Sequence, residues 1–192
     1  MEWHEALILG IIQGLTEFLP ISSSGHLELA SFILNTNQKD NLSFTILVHI
    51  ATAISIIYVF KYDILKIIKG FFIGEKKYLS LVIKILISSI PIGIVGLLYE
   101  NEVESLFNGN IFLVGSMLII TSLLLFFTYF SKENNKNNIS YLHAIIIGLA
   151  QALAIFPGIS RSGATISVAL LLKINKEEAT KFSFLMVLVP IF

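Results

Sequence analysis

Between Gly10 and Leu27 the chain reads G-I-I-Q-G-L-T-E-F-L-P-I-S-S-S-G-H-L, which sets Gln13, Glu17, Ser22, Ser23, Ser24 and His26 in a stretch otherwise as apolar as a membrane span. Polar and ionisable groups are costly at bilayer depth, where they mark a functional site once a partner can be named. Gln13 and Glu17 are four residues apart, so a helix carries both on one face. A carboxylate and an amide placed this way can hold a hydrated cation or orient a water. The three serines follow Pro20 and precede Leu27-Glu28-Leu29-Ala30, a position that makes them caps of a second half-helix. The free amides and dipole of a helix N-terminus favour an anion, and the hydroxyls add donors, so the position is that of a phosphate cradle.

A second copy of this stretch lies 138 residues further on. Without a gap, Gly10 to Gly25 overlies Gly148 to Gly163 with eight identities in sixteen positions, including Gln13/Gln151, Ser22/Ser160, Ser24/Ser162 and Gly25/Gly163. Chance at this composition gives about one. The register continues into Phe44/Phe182 and Leu47/Leu185. The second copy reads F-P-G-I-S-R-S-G-A-T from Phe156 to Thr165 and carries Arg161 where the first has Ser23. A guanidinium, always charged and forked, suits phosphoryl oxygens. The mates of Glu17 and His26 are the inert Ile155 and Ala164. One copy thus supplies acid/base groups and the other a fixed cation, as a single asymmetric reaction site at a repeat interface requires.

The elements that must position these groups belong to a membrane protein. Of the 192 residues 55% are hydrophobic and only 14% charged, with a mean hydropathy of +0.84, whereas a soluble domain carries about 25% charge. The zero formal net charge gives no argument for nucleic acid, and the absence of cysteine excludes disulfides and thiolate metal sites. The acidic start, Met1-Glu2-Trp3-His4-Glu5, does not look like a cleaved leader. Three runs are long enough to cross a core about 30 Å thick: Leu42 to Phe60, Tyr78 to Tyr99 with Lys84 placed to snorkel, and Ile111 to Phe130. Ala6 to Leu19 and Leu27 to Leu34 are too short. With Pro20 between them they read as a re-entrant helix, turn and helix, tolerated only where the turn is buried in protein or lines a polar cavity.

The Lys61 to Lys77 connection carries five lysines, and the Glu100 to Asn110 connection carries Glu100, Glu102 and Glu104 with no base, so the first is expected inside and the second outside. The Lys132 to Ser140 connection, with Lys132 and Lys136, then falls inside. Three spans between the copies make the second hairpin, about Ala144 to Leu172, enter from the opposite face. The fold expected is therefore an all-α integral membrane protein, a single domain over 1–192 with an inverted-topology repeat, units 1–137 and 138–192, and two re-entrant hairpins with tips at Pro20 to Gly25 and Pro157 to Gly163. A second unit equal to the first would need roughly 80 residues beyond Phe192.

The stretches G-L-T-E-F-L-P-I-S-S-S-G-H and P-G-I-S-R-S-G-A-T-I-S, with K-F-S-F-L at Lys181 to Leu185, resemble the signature motifs of the undecaprenyl-diphosphate phosphatase family of the BacA/UppP type, over essentially the whole chain. The resemblance implies a multi-pass bacterial inner-membrane enzyme that removes the terminal phosphate of undecaprenyl diphosphate, recycles the cell-wall lipid carrier and confers bacitracin resistance. It places the family's E/Q-x-x-x-E on Gln13 and Glu17, its serine and histidine on Ser23 and His26, and its P-G-x-S-R-S-x-x-T on Pro157 to Thr165. The catalytic set expected is Glu17, Ser23, His26 and Arg161, with Gln13, Ser22, Ser24, Ser160, Ser162, Gly163 and Thr165 binding substrate. A divalent cation, Mg or Ca, would sit on Glu17 with help from Gln13; the glutamine in place of a first carboxylate weakens that site. Expected partners are the lipid diphosphate and the bilayer, with a homodimer allowed and no nucleic acid.

Alternatives stand beside this reading. Ser23 and His26 could each activate the other, and the sequence does not choose the nucleophile. The serines could simply cap a buried helix, Glu17 and His26 could form a structural pair, and Arg161 could be a counter-ion to Glu17. Glu28 could face the polar cavity or bond a neighbouring span. His4, His49 and His143 read as packing or interface residues. A transporter or flippase for the same lipid is the alternative function, since inverted repeats with broken helices are the transporter pattern. The asymmetry between the copies argues against it.

Overall fold

The computed structural model describes residues 1–36, 38–106, 109–131 and 138–191, and among these it is helical without a strand. The first hairpin is α1 (Trp3–Thr16) and α2 (Ser23–Ile33). Next come α3 (Gln38–Val59), α4 (Lys61–Ile73), α5 (Lys76–Leu98), α6 (Glu100–Leu106) and α7 (Ile111–Tyr129). The second hairpin is α8 (Tyr141–Leu153) and α9 (Arg161–Leu171), followed by α10 (Lys176–Met186) and the short α11 (Leu188–Ile191).

The three expected runs are helical as α3, α5 and α7; α5 and α7 each satisfy length and hydropathy for a crossing alone, and α3 does so only together with α4. They present apolar side chains outward, such as Leu97 and Phe112, each more than four-fifths exposed. An apolar surface of this extent is stable only against lipid, which makes the chain a multi-pass membrane protein. The hairpin arms, 14 and 11 residues in the first copy and 13 and 11 in the second, reach only about 16–21 Å at 1.5 Å per residue. None crosses the hydrocarbon core alone.

The lysine-rich connection after α3 is itself helical. The helix α4 bends 74° from α3 at Phe60, and Lys61 Nζ lies 4.4 Å from the centre of the Tyr58 ring. Ile64 and Ile67 pack on the core, and Lys66 and Lys69 are exposed beside Tyr62, Leu65 and Ile68. The acidic connection likewise contains α6, and residues 132–137 of the third connection, with Lys132 and Lys136, lie outside the described residues.

The main apolar core, built on Ile85, Ile147, Phe182 and Met186, joins α5, α8 and α10. The close approach of α8 to α5 depends on Gly148: a Cβ there would stand 2.5 Å from the Ser88 carbonyl oxygen. His143 belongs to the start of α8, where its Nδ1 accepts from the Ser140 amide at 3.3 Å while Ser140 Oγ accepts from the His143 amide at 3.1 Å. His4 stacks edge-on against Trp3.

Candidate active site

The two hairpins meet at their tips by backbone contact. A Cβ on Gly25 would stand 2.9 Å from Gly158 Cα, and one on Gly163 would stand 2.9 Å from the Pro20 carbonyl oxygen. Under the 138-residue register Gly25 maps on Gly163 and Pro20 on Gly158, so each contact is the image of the other. Reciprocal contacts of this kind are what a two-fold axis between equivalent units generates.

Both second arms begin with the same cap. Ser22 Oγ accepts from the Gly25 amide at 3.3 Å and Ser160 Oγ from the Gly163 amide at 3.0 Å, and each capping hydroxyl lies 3.3 Å from that of the serine two residues on, Ser24 and Ser162. The free N-terminal amides of α2 and α9 are thereby presented at one place. The backbone is not symmetric in detail: Ser22 has φ of +69°, a strained value for a non-glycine residue, whereas Ser160 is extended at −69°. The second tip is held by a residue the sequence reading missed. Thr121 Oγ1, buried in α7, accepts from the Ser160 amide at 3.0 Å and donates to the Gly158 carbonyl at 2.8 Å. A hydroxyl in an uncharged span that also carries Ser116, Ser122 and Thr128 was its only signal.

Between the tips lies a cavity of about 190 Å³. Of the expected residues it is lined by Glu17, Ser22, Ser23, Ser24, Ser160, Arg161 and Ser162. Glu17 Oε2 accepts hydrogen bonds from Ser23 Oγ and, at 3.1 Å, from Gln13 Nε2. The partner of Ser23 is thus Glu17 rather than His26. Arg161 forms no ion pair with Glu17 among the described residues, and its Nη1 is shut off from solvent with no hydrogen-bond partner. A buried guanidinium nitrogen left unpaired costs free energy that an anion in the cavity would recover.

The other expected residues stand behind this lining. Gln13 is buried, also bonds Thr52 Oγ1 at 3.3 Å, and has Oε1 unpartnered. His26 is half-buried with Nδ1 2.7 Å from the Ser22 carbonyl oxygen, one turn back on its own helix. Gly163 serves the tip contact, and Thr165 bonds the Arg161 carbonyl at 2.9 Å and Ser183 Oγ at 2.6 Å. Glu28 is half-buried and absent from the lining. The cavity also contains Thr45 and His49 from α3 and Ile92 from α5. His49, read from the sequence as a packing or interface residue, thus lies in the cavity lining.

As for a cation, no three His, Asp or Glu side chains converge among the described residues. Among the described residues the cavity offers one carboxylate, whose Oε2 is engaged and whose Oε1 has no hydrogen-bond partner. That donor set suits an ion that takes its remaining ligands from substrate phosphate oxygens and water, the usual habit of Mg²⁺.

The family model described as bacitracin resistance protein BacA matches residues 6–192. The chain belongs to the BacA family. Relatives named undecaprenyl-diphosphatase include one from Bacteroides fragilis, 52% identical over 195 residues that take in all of this chain and 72% of the relative. Another, from Thermosipho africanus, is 46% identical over 94% of the chain and 72% of its own length. One from Methanococcus vannielii is 43% identical over 98% of the chain and 75% of its own length. BacA-family membership extends across the first hairpin, the intervening spans and the second hairpin, so the cavity between the tips lies wholly within the matched region.

Proposed function

We propose that this chain hydrolyses undecaprenyl diphosphate to undecaprenyl phosphate and inorganic phosphate in the cell membrane, the inner membrane of a bacterium, and so recycles the lipid carrier of cell-wall synthesis. The observation that carries the reading is the pairing, in one cavity, of a serine bonded to a carboxylate with a guanidinium whose Nη1 has no hydrogen-bond partner and two helix N-termini. The activity named for relatives about half identical to it points the same way.

In this reading Ser23 is the nucleophile and Glu17 its base. Ser23 Oγ attacks the terminal phosphorus and gives its proton to Glu17; the bond from that phosphorus to the bridging oxygen breaks, and the electron pair leaves with undecaprenyl phosphate. Water then cleaves the phosphoserine, forming the new bond to phosphorus, and a proton returns to Ser23. Arg161 and the amides at the starts of α2 and α9 stabilise the charge on the phosphoryl oxygens. A divalent cation on Glu17 Oε1, where present, would neutralise part of that charge. His26 acts from behind Ser22, fixing the turn that carries the nucleophile, as its bond to the Ser22 carbonyl supports.

The test is phosphate release from a C55 diphosphate by the purified protein, with and without chelator. Release that depends on both Glu17 and Arg161 is expected, and loss on chelation would assign the cation. Binding of the lipid with no release of phosphate would favour a carrier instead.

A further inference from the structure

A third ionisable group follows the asymmetry of the repeat. The mates of Glu17 and His26 are Ile155 and Ala164, and by the same register the mate of His49 is Val187, buried in the core after α10. The fold therefore accommodates a plain aliphatic side chain at this place, and packing does not demand an imidazole. The neighbouring pair differs in the same way. Ser183, the mate of Thr45, is tied to Thr165, whereas the first copy has Leu27 in the place of Thr165 and Thr45 faces the cavity.

His49 is half-buried and lines the cavity with Glu17, Ser23 and Arg161. Its Nδ1 lies 2.7 Å from the Thr45 carbonyl oxygen. A carbonyl only accepts, so Nδ1 carries the proton and the ring is pinned by its own helix. Nε2 has no hydrogen-bond partner among the described residues, which leaves it as the ring's one position for a ligand. We propose that His49 is a further substrate-contacting residue, with Nε2 hydrogen-bonded to the terminal phosphoryl group of the diphosphate. One proton suffices for that bond: a protonated phosphoryl oxygen donates it to Nε2, or a protonated Nε2 donates it to an ionised oxygen. This rests on the diphosphate reading of the cavity and adds to it a hold on the departing phosphate from α3, an element outside both signature motifs.

Steady-state hydrolysis of C55 diphosphate is measured for the wild type, His49→Leu, His49→Asn and His49→Gln. Leu removes the hydrogen bond, Asn keeps an amide that falls short, and Gln carries a donor of nearly the imidazole's reach. Expected is a fall in kcat/KM of about tenfold or more for Leu and Asn, chiefly through a raised KM, with Gln recovering most of the loss. Should His49→Leu fail to fold, the Asn and Gln pair carries the same comparison. Leu and Asn within threefold of wild type would overturn the contact. So would a Gln variant as poor as Leu with KM unchanged, an outcome that points to proton transfer instead. A wild type that releases no phosphate would sink the diphosphate reading itself, so the two failures are distinguishable.

Discussion

Replacing Gly25 with alanine puts a methyl group 2.9 Å from Gly158 Cα, 3.2 Å from Leu118 Cδ2 and 3.3 Å from the Gly158 amide nitrogen. Ordinary contact begins at 3.4 Å, so the tip of the first hairpin must retreat by about half an ångström from backbone that cannot swing aside. Overpacking of this sort costs about 1–3 kcal/mol. The functional cost compounds it, because Gly25 lies two residues from Ser23 and a misplacement of about 1 Å can cost about a hundredfold in rate, so a shift of half that size should cost about tenfold. Gly163→Ala should behave alike, since its Cβ would meet Ser160 Cβ at 2.8 Å and the Pro20 carbonyl at 2.9 Å. Gly10→Ala is the control. It sits inside α1 with nothing within 4 Å of the added methyl, and should stabilise its helix by about 0.5–1 kcal/mol without touching turnover. The assay pairs thermal unfolding in detergent with phosphate release. Gly25→Ala and Gly163→Ala proteins matching the wild type in both would refute the tip-to-tip contact.

Arg161→Lys keeps the charge and loses the fork, so turnover should fall well over tenfold with weaker substrate binding, and an active Arg161→Ala would remove the residue from the site. Glu17→Gln should lower turnover by about a hundredfold while the protein still folds and binds lipid. Ser23→Ala should be worse, and the double variant no worse than Ser23→Ala alone, since the two act as a unit; additive losses would separate their roles. Thr121→Val removes both hydrogen bonds that hold the second tip and should cost about 1–3 kcal/mol with a parallel loss of turnover, which Thr121→Ser should largely restore.

Much of the architecture was legible in the chain because it depends on counting. Hydrophobic run length against bilayer thickness gave the long helices α3, α5 and α7, of which α5 and α7 suffice for a crossing alone, and a fixed register of 138 residues gave the paired hairpins. The same register marked Glu17 and Arg161, since an unpaired ionisable group in an apolar repeat stands out against an inert mate. Distances between elements are another matter. Sequence neighbourhood pointed Ser23 toward His26, three residues away, yet helix geometry turns His26 back to the Ser22 carbonyl and brings Glu17, six residues earlier across the turn, to the serine hydroxyl. Thr121 and His49 reach the site from α7 and α3, and no local pattern announces a side chain that matters only after another helix has packed beside it. Gly10 and Gly148 make the point most plainly. They are identical in type and equivalent in register, but one opens onto empty space and the other touches the Ser88 backbone, because the partner that crowds a residue is chosen by the packing of distant segments.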